Sequence, residues 1–523
     1  MKEGLPAELF HYKEVVLDCL CWLRHRFRLD GVSREQVEFL YGDLAIVLAS
    51  QFYLAVQELG KGNEISKTSI NLDTVDFPES LFSKFQSVDY CVKYRWVVQS
   101  LVCKKGDSVS DLISFKVPFG EKKDSKLKKK VKTVVKAGIS YLSQLRSSRC
   151  VYFYHIYQAY SPWKTICSLV RLWRIGIQRG QHFGSIIESP AATRRQTALE
   201  EHVVDGIEAA LWKSVIVFGP NVCFVDYAPF EKVHPNIPKF LYSVHLWGLP
   251  FEHKLEIWKL KLLGAKLIVH QHGGGYGLER DHLPQKYEQK FSDMFWSWGW
   301  RVGNATPCPP MRALSIEPNR VKEQALIALG ALAPSPARLQ NSPYLPSAQK
   351  EMYRVVEEMV CRLERVNIAV RLKRPNVMFQ TDSSRSFFNK HRNWVVDVGD
   401  KAGSRVYGRY KLVIFDYLGT GWLETIGANI PTVVVVNRKD YLFDKNAEWF
   451  VEKLFQAKII HHSVESAVSH ITAVWSDIPR WWDSEDVGLA LQLFVENFAV
   501  TEKMLPGVCG RLEEMCKTYG RRS

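Results

Sequence analysis

Apolar residues recur at three- and four-residue intervals over Glu14 to Phe27 and Arg34 to Leu59, with Asp30-Gly31 between them, which predicts two helices. A third apolar-rich stretch runs from Val88 to Val102. From about residue 213 the period changes. Ser214 to Phe218 reads as a strand stopped by Gly219-Pro220, Phe251 to Leu263 as a helix, and Lys266 to Val269 and Phe295 to Trp300 as strands. Beyond residue 320 strands alternate with helices. Strands are predicted at Gln324–Leu329, Asn367–Leu372, Trp394–Val398, Leu412–Asp416, Pro431–Val436 and Lys458–His461. Helices are predicted at Gln349–Arg365, Gly421–Ala428, Glu448–Phe455, Val464–Trp475 and Val487–Val500. Alternation of this kind implies an α/β fold with parallel sheets.

A chain of 523 residues is too long for one core, and the pattern divides it. We expect a helical, acceptor-side extension over 1–150, a first α/β domain over 151–305, a proline-rich linker over 306–320, a second α/β domain over 321–500 and a basic tail over 501–523. The formal charge of +15 points to acidic partners, nucleotides or an anionic membrane face, although a merely solubilising surface has the same composition. Eight of the lysines fall between residues 122 and 136. That run fits a membrane-surface patch or, more commonly, a solvated helix or loop; no aromatics interleave it, so nucleic acid is not expected as a partner. The 11 cysteines lack zinc or C-x-x-C spacing and read as reduced thiols of a cytoplasmic protein. No signal peptide and no run of about 18 apolar residues is evident, so no membrane span is expected.

Chemistry concentrates where strands end. The run Leu267 to His270 stops at Gln271-His272-Gly273-Gly274-Gly275-Tyr276-Gly277. Three glycines let a backbone approach a ligand closely, and histidine adds a donor, a base or a ligand at the carboxyl edge of a sheet. Of the pair, His272 is the better base or phosphate contact, whereas His270 also fits a buried, satisfied histidine. A second strand, Val413 to Asp416, runs into Gly419-Thr420-Gly421 and a helix carrying Glu424. The amides of that helix start suit a phosphate and Glu424 suits ribose hydroxyls, while Thr420 also fits an ordinary N-cap. A third strand ends in Arg371-Leu372-Lys373-Arg374-Pro375, cations suited to a nucleotide phosphate, with Arg374 favoured. Glu288 and Asp293 read as solvated surface, and Trp296, Trp298 and Trp300 as core or as a sugar platform. Asp-x-Asp, His-Glu-x-x-His, the P-loop and Gly-x-Ser-x-Gly are all absent, so no metal and no cofactor are expected.

These landmarks resemble a family of transferases found with bacterial capsule and O-antigen genes. The matching residues are His270 to Gly277, the Glu288…Asp293…Ser297-Trp298-Gly299-Trp300 segment, Thr420-Gly421-Trp422-Leu423-Glu424 with Asn429-Ile430-Pro431-Thr432, and Trp481-Trp482, spanning roughly residues 210–500. The resemblance implies a GT-B-like glycosyltransferase, distantly similar to capsule Kdo transferases, bacterial sialyltransferases and teichoic-acid-type glycerophosphate transferases. It implies two facing Rossmann-like domains beside the N-terminal helical region, with the nucleotide donor on the second. Arg374-Pro375 stands where several relatives carry a His-Pro pair, so its role carries over only as a cationic contact. The first 200 residues match poorly and show no opening strand.

The expected activity is transfer of a sugar, with a CMP-linked Kdo or nonulosonic acid favoured, from a nucleotide donor to a glycan or lipid-linked glycan. His272 and His270 are the candidate catalytic residues. Gly273, Gly274, Gly275, Arg374, Lys373, Thr420, Gly421 and Glu424 are the candidate donor contacts. Two rivals remain: transfer of glycerol- or ribitol-phosphate, and a non-catalytic scaffold held at the inner face of the plasma membrane.

Overall fold

Two all-parallel, six-stranded sheets organise the chain. The computed structural model describes residues 6–27, 33–59, 151–155, 177–179, 206–218, 237–310, 322–329, 346–371, 393–397, 406–436 and 441–520, with a few single positions between them. The lysine run and the pair Lys373 and Arg374 lie outside the described residues.

The first sheet contains β1 (Val151–His155), β2 (Ile177–Arg179), β3 (Phe240–Ser243), β4 (Lys266–His270), β5 (Met294–Ser297) and β6 (Ala305–Pro307), in the order β2-β1-β3-β4-β5-β6. The second contains β7 (Lys322–Ala328), β8 (Ile368–Arg371), β9 (Val395–Asp397), β10 (Tyr410–Phe415), β11 (Thr432–Val435) and β12 (Ile460–His461), in the order β12-β11-β10-β7-β8-β9. Counted from its own first strand, the second order is that of the doubly wound dinucleotide-binding fold, and the first begins as the flavodoxin type does. The α/β architecture expected from the sequence, two Rossmann-like sheets with helices, is the one the chain adopts. In each sheet the order reverses at a switch point, between β1 and β3 and between β7 and β10, where open sheets take ligands at their carboxyl ends.

Helices α1 (Ala7–Arg26) and α2 (Arg34–Leu59) pack on each other and on α3 (Ile207–Phe218), α4 (Phe251–Leu262) and α5 (Leu283–Phe291). The N-terminal helices are thus joined to the first sheet's layer. Asp43 of α2 takes the fully buried Lys254 Nζ at 2.7 Å, and Tyr287 Oη of α5 donates to the Phe39 carbonyl of α2. By length and composition α2 is apolar enough to cross a membrane, yet 78% of its most apolar 18-residue window is buried inside the protein. It is a core helix, apolar because other helices surround it.

Four expectations change. Ser214 to Phe218 is the end of α3, not a strand; buried Ala210, Leu211, Ser214 and Val215 mark the helical face that a five-residue apolar window hides. The opening strands missing from the sequence reading are β1 and β2. Residues 501–523 are no simple tail, because α12 (Val508–Gly520) lays Val508 and Leu512 against Phe240, Ile268 and Trp296 of the first sheet. The first sheet also reaches into the expected linker, through β6 and the Cys308 N–H donating to the Ser297 carbonyl.

In the second domain, α6 (Pro346–Arg362), α7 (Thr420–Gly427), α8 (Lys445–Gln456), α9 (Val464–Val474), α10 (Ile478–Trp482) and α11 (Glu485–Phe498) complete the described helices. Backbone bonds stitch the two domains beside the sheet edges: Arg280 N–H to the Leu442 carbonyl (3.0 Å), Asp444 N–H to Leu278 (2.8 Å) and Val500 N–H to Trp298 (2.9 Å). The carboxyl ends of β4 and β10 therefore meet.

Candidate functional site

The meeting point is glycine against glycine. A Cβ on Gly274 would sit 2.5 Å from the Gly419 carbonyl oxygen and 3.0 Å from the Thr420 nitrogen, all backbone atoms that cannot step aside. A Cβ on Gly273 would lie 3.9 Å from Thr420 Oγ1. Gly275 packs against Glu279 and His282, and its carbonyl accepts the Glu279 N–H at 2.9 Å. The two motifs, some 145 residues apart in sequence (274 to 419), form one surface.

Gln271 holds the first loop. Its amide Nε2 donates to the Gly273 carbonyl at 2.8 Å, while its Oε1 accepts the Trp298 N–H at 2.8 Å and the Trp300 Nε1–H at 2.9 Å. Gly277 then turns at a φ of 72°, a left-handed conformation that glycine adopts without strain, with its N–H on Gln285 Oε1 at 2.7 Å. This explains why the glycine loop and the Ser297-Trp298-Gly299-Trp300 segment travel together. Trp296, Trp298 and Trp300 are all buried, so they build core and make no sugar platform.

The two histidines separate cleanly. His270 is buried, with Nε2 3.2 Å from the Cys308 carbonyl and Nδ1 2.9 Å from Tyr242 Oη. Burial drives its pKa down to about 3 against the carbonyl hydrogen bond, and Arg511 adds to the fall. A neutral ring with both nitrogens engaged is a packing residue, so the catalytic role expected for His270 does not fit its surroundings. His272 is half-buried, its Nδ1 is 2.7 Å from Tyr276 Oη, and its ring lies against His245 with centroids 3.9 Å apart and the planes tilted by 38°. Tyr276 Oη donates to Glu288 Oε2 at 2.8 Å, and Glu288 Oε1 accepts the Trp247 N–H at 3.0 Å.

Glu288 is fully buried, a correction to its reading as solvated surface. Neither it nor His245 could be placed at the site from sequence, since they sit on α5 and on the exit of β3. Asp293 is structural: burial pushes its carboxyl up, but hydrogen bonds from Lys261 and the Leu267 N–H outweigh that and hold it below the usual range. His245, His272 and Glu288 each offer a ligand atom within 4.8 Å of the others, so these three are the described residues able to hold a metal ion.

On the second sheet's edge, Gly419 is the N-cap of α7, and no side chain caps the helix. Thr420 is therefore the first helical residue rather than the capping one. Its amide and that of Gly421 stand at the positive end of the helix dipole. Gly421 lies against the Phe415 ring and Tyr407 Oη. Glu424 is buried; burial first, then the charges of Asp416 and Glu424, raise the pKa of the Tyr417 phenol. Arg371, passed over in favour of Arg374, ends β8 as a buried guanidinium 5.6 Å from the Tyr407 ring centroid. Alternation along the strand was the available signal.

Among solved structures, the chain is similar to a pneumococcal O-GlcNAc transferase crystallised with UDP and GlcNAc, at 14% identity and a TM-score of 0.30 over 54% of this chain and 56% of that one. The chain thus spans about half the length of that enzyme. It is also similar to a glycosyltransferase from Streptomyces nogalater, at 12% identity and a TM-score of 0.33 over 72% of this chain and 100% of that one. No curated protein sequence matches. A profile of the LIC12162 family transferases matches residues 53–508, most of the chain, and the protein belongs to that family.

Proposed function

We propose that the protein transfers a sugar from a nucleotide-sugar donor to a glycan or lipid-linked glycan acceptor, across the surface where the two sheet edges meet. The observation that carries this reading is the contact between Gly274 and the Gly419-Thr420 backbone, which brings a histidine edge at the carboxyl end of β4 together with a helix start at the second sheet's switch point. The Thr420 and Gly421 amides hold the donor phosphate, aided by Arg371 and by Lys373 and Arg374 beyond the described residues. Glu424 binds the ribose. His272 accepts the proton of the acceptor hydroxyl as its oxygen bonds to the anomeric carbon and the nucleotide leaves with its phosphate oxygen. Amides and cations meet the phosphate charge, so the reaction as proposed uses no metal. By analogy, a CMP-linked Kdo or nonulosonic acid is the favoured donor.

Thermal shift against CMP, CDP, UDP, GDP and their sugar conjugates, with CDP-glycerol alongside, tests the reading. Stabilisation by one nucleotide and its sugar conjugate supports it. Stabilisation by CDP-glycerol alone, or by none of the panel, contradicts it.

A further inference from the structure

The histidines of the glycine loop are two residues apart, and their surroundings dictate opposite tautomers. A carbonyl only accepts, so His270 donates Nε2–H to Cys308 and its bare Nδ1 accepts the Tyr242 hydroxyl proton. His272 is the reverse case. The Tyr276 hydroxyl has one proton and gives it to Glu288, so its oxygen accepts Nδ1–H from His272. The lone pair of His272 then sits on Nε2.

We propose that Glu288 and Tyr276 are positioning residues that fix His272 in the Nδ1–H tautomer and so make Nε2 its basic nitrogen. The proposal rests on the reading of His272 as the acceptor-side base. Every link has its own support. The Trp247 N–H occupies Glu288 Oε1, which leaves Oε2 for the tyrosine. Tyr276 is itself wedged between the His282 ring, with centroids 4.2 Å apart, and the Phe295 ring at 6.0 Å, so its hydroxyl cannot swing away. Glu288, Tyr276 and His272 come from α5 and from two points of one loop, fixed by Gln271 on one side and Gln285 on the other.

A metal bridging His245, His272 and Glu288 is the competing use of the same atoms. Two imidazoles on one tetrahedral ion at a metal–nitrogen distance of about 2.0 Å radiate from it. Here the ring centroids lie only 3.9 Å apart with the planes tilted by 38°, closer than two rings radiating from one ion, and each carboxylate oxygen already accepts a hydrogen bond.

The discriminating substitution is Glu288→Gln, which keeps the side chain's shape. The Trp247 N–H requires an acceptor, so the amide oxygen must face it and the NH2 must face Tyr276. The tyrosine then accepts from the amide and donates to His272 Nδ1, and the proton on the ring moves to Nε2. Full-length protein with 15N-labelled histidine rings, read by long-range proton–nitrogen correlation, reports the tautomer directly, and His272→Gln identifies its resonance among the 15 histidines. The expected result is Nδ1–H for His272 in the unaltered protein and Nε2–H in Glu288→Gln, with Tyr276→Phe abolishing the Nδ1–H preference. Nε2–H in the unaltered protein, no change in either variant, or metal-type shifts on adding Zn2+ would each overturn the proposal. The predicted tautomers together with full transfer by His272→Gln would instead sink the reading of His272 as base and leave the relay standing.

Discussion

The edges of the two sheets start alike, each an apolar strand running into a glycine turn, and then diverge in what they offer a ligand. At the end of β4 the chemistry is in side chains: His272, Tyr276 and Glu288 are linked by hydrogen bonds, and Gln271 fixes the loop beneath them. At the end of β10 it is in the backbone, where an uncapped helix start presents amides and the nearby side chains are a buried cation and buried carboxylates. The first edge is suited to moving a proton and the second to holding an anion. A strand–glycine signature alone therefore identifies an edge, and the residues wired behind it decide its task.

The largest expected effect comes from prying the edges apart. Gly274→Ala drives a methyl into the Gly419 backbone and should lower transfer by about 10²-fold, the scale associated with misplacing reacting groups by about 1 Å. Gly488→Ala on α11, where a Cβ meets nothing within 4 Å, is the matched control and should leave the rate unchanged. An undiminished rate in Gly274→Ala would mean that the edges work separately.

Arg371→Met should spare the first edge and weaken the second. Loss of a charge-assisted contact predicts a donor KM roughly 10–100-fold higher, with kcat changed far less. A fall confined to kcat would place Arg371 with the proton-transfer side.

In stability the order reverses. Gln271→Ala removes the acceptor for the Trp298 N–H and the Trp300 Nε1–H and the donor to Gly273, and should cost about 2–4 kcal/mol in urea unfolding. Thr420→Val makes a comparable polar deletion at the helix start and should cost less than about 1 kcal/mol. Equal losses would erase the distinction between a wired edge and a backbone edge.

The last expected effect is in acid. Native His270 stays neutral down to about pH 3, whereas the unfolded chain takes up that proton near 6.5, so the unfolded state binds more protons between those values. Stability should therefore fall as pH drops from 6.5 towards 3, and His461 and His470, held down to about 4 by burial, act in the same direction. A flat unfolding profile by circular dichroism over that range would contradict the buried, neutral assignment.

The sequence made one of these edges easier to read than the other. The α/β alternation from Gln324 to His461 was legible because each strand is short, apolar and bounded by polar turns. The glycine loop was legible because few structures need three glycines in a row. Ser214–Phe218 misled because a short buried helix and a buried strand share the same apolar window, and packing by α1 and α2 decided between them. The contact of Glu288 and His245 with His272 was hidden for another reason. They reach His272 from elements 16 and 27 residues away (288 − 272 and 272 − 245), a proximity set only once β3, β4 and α5 pack. Lys373 and Arg374, expected from their charge, lie outside the described residues, while Arg371 at the same strand end supplies the described cation.

The most direct test of the two-edged site is steady-state transfer by His272→Ala and Glu424→Ala, using the donor that thermal shift identifies. A lower kcat for His272→Ala and a higher donor KM for Glu424→Ala are expected, one lesion on each side of the Gly274–Gly419 contact. Unchanged transfer in both variants would contradict a two-edged site.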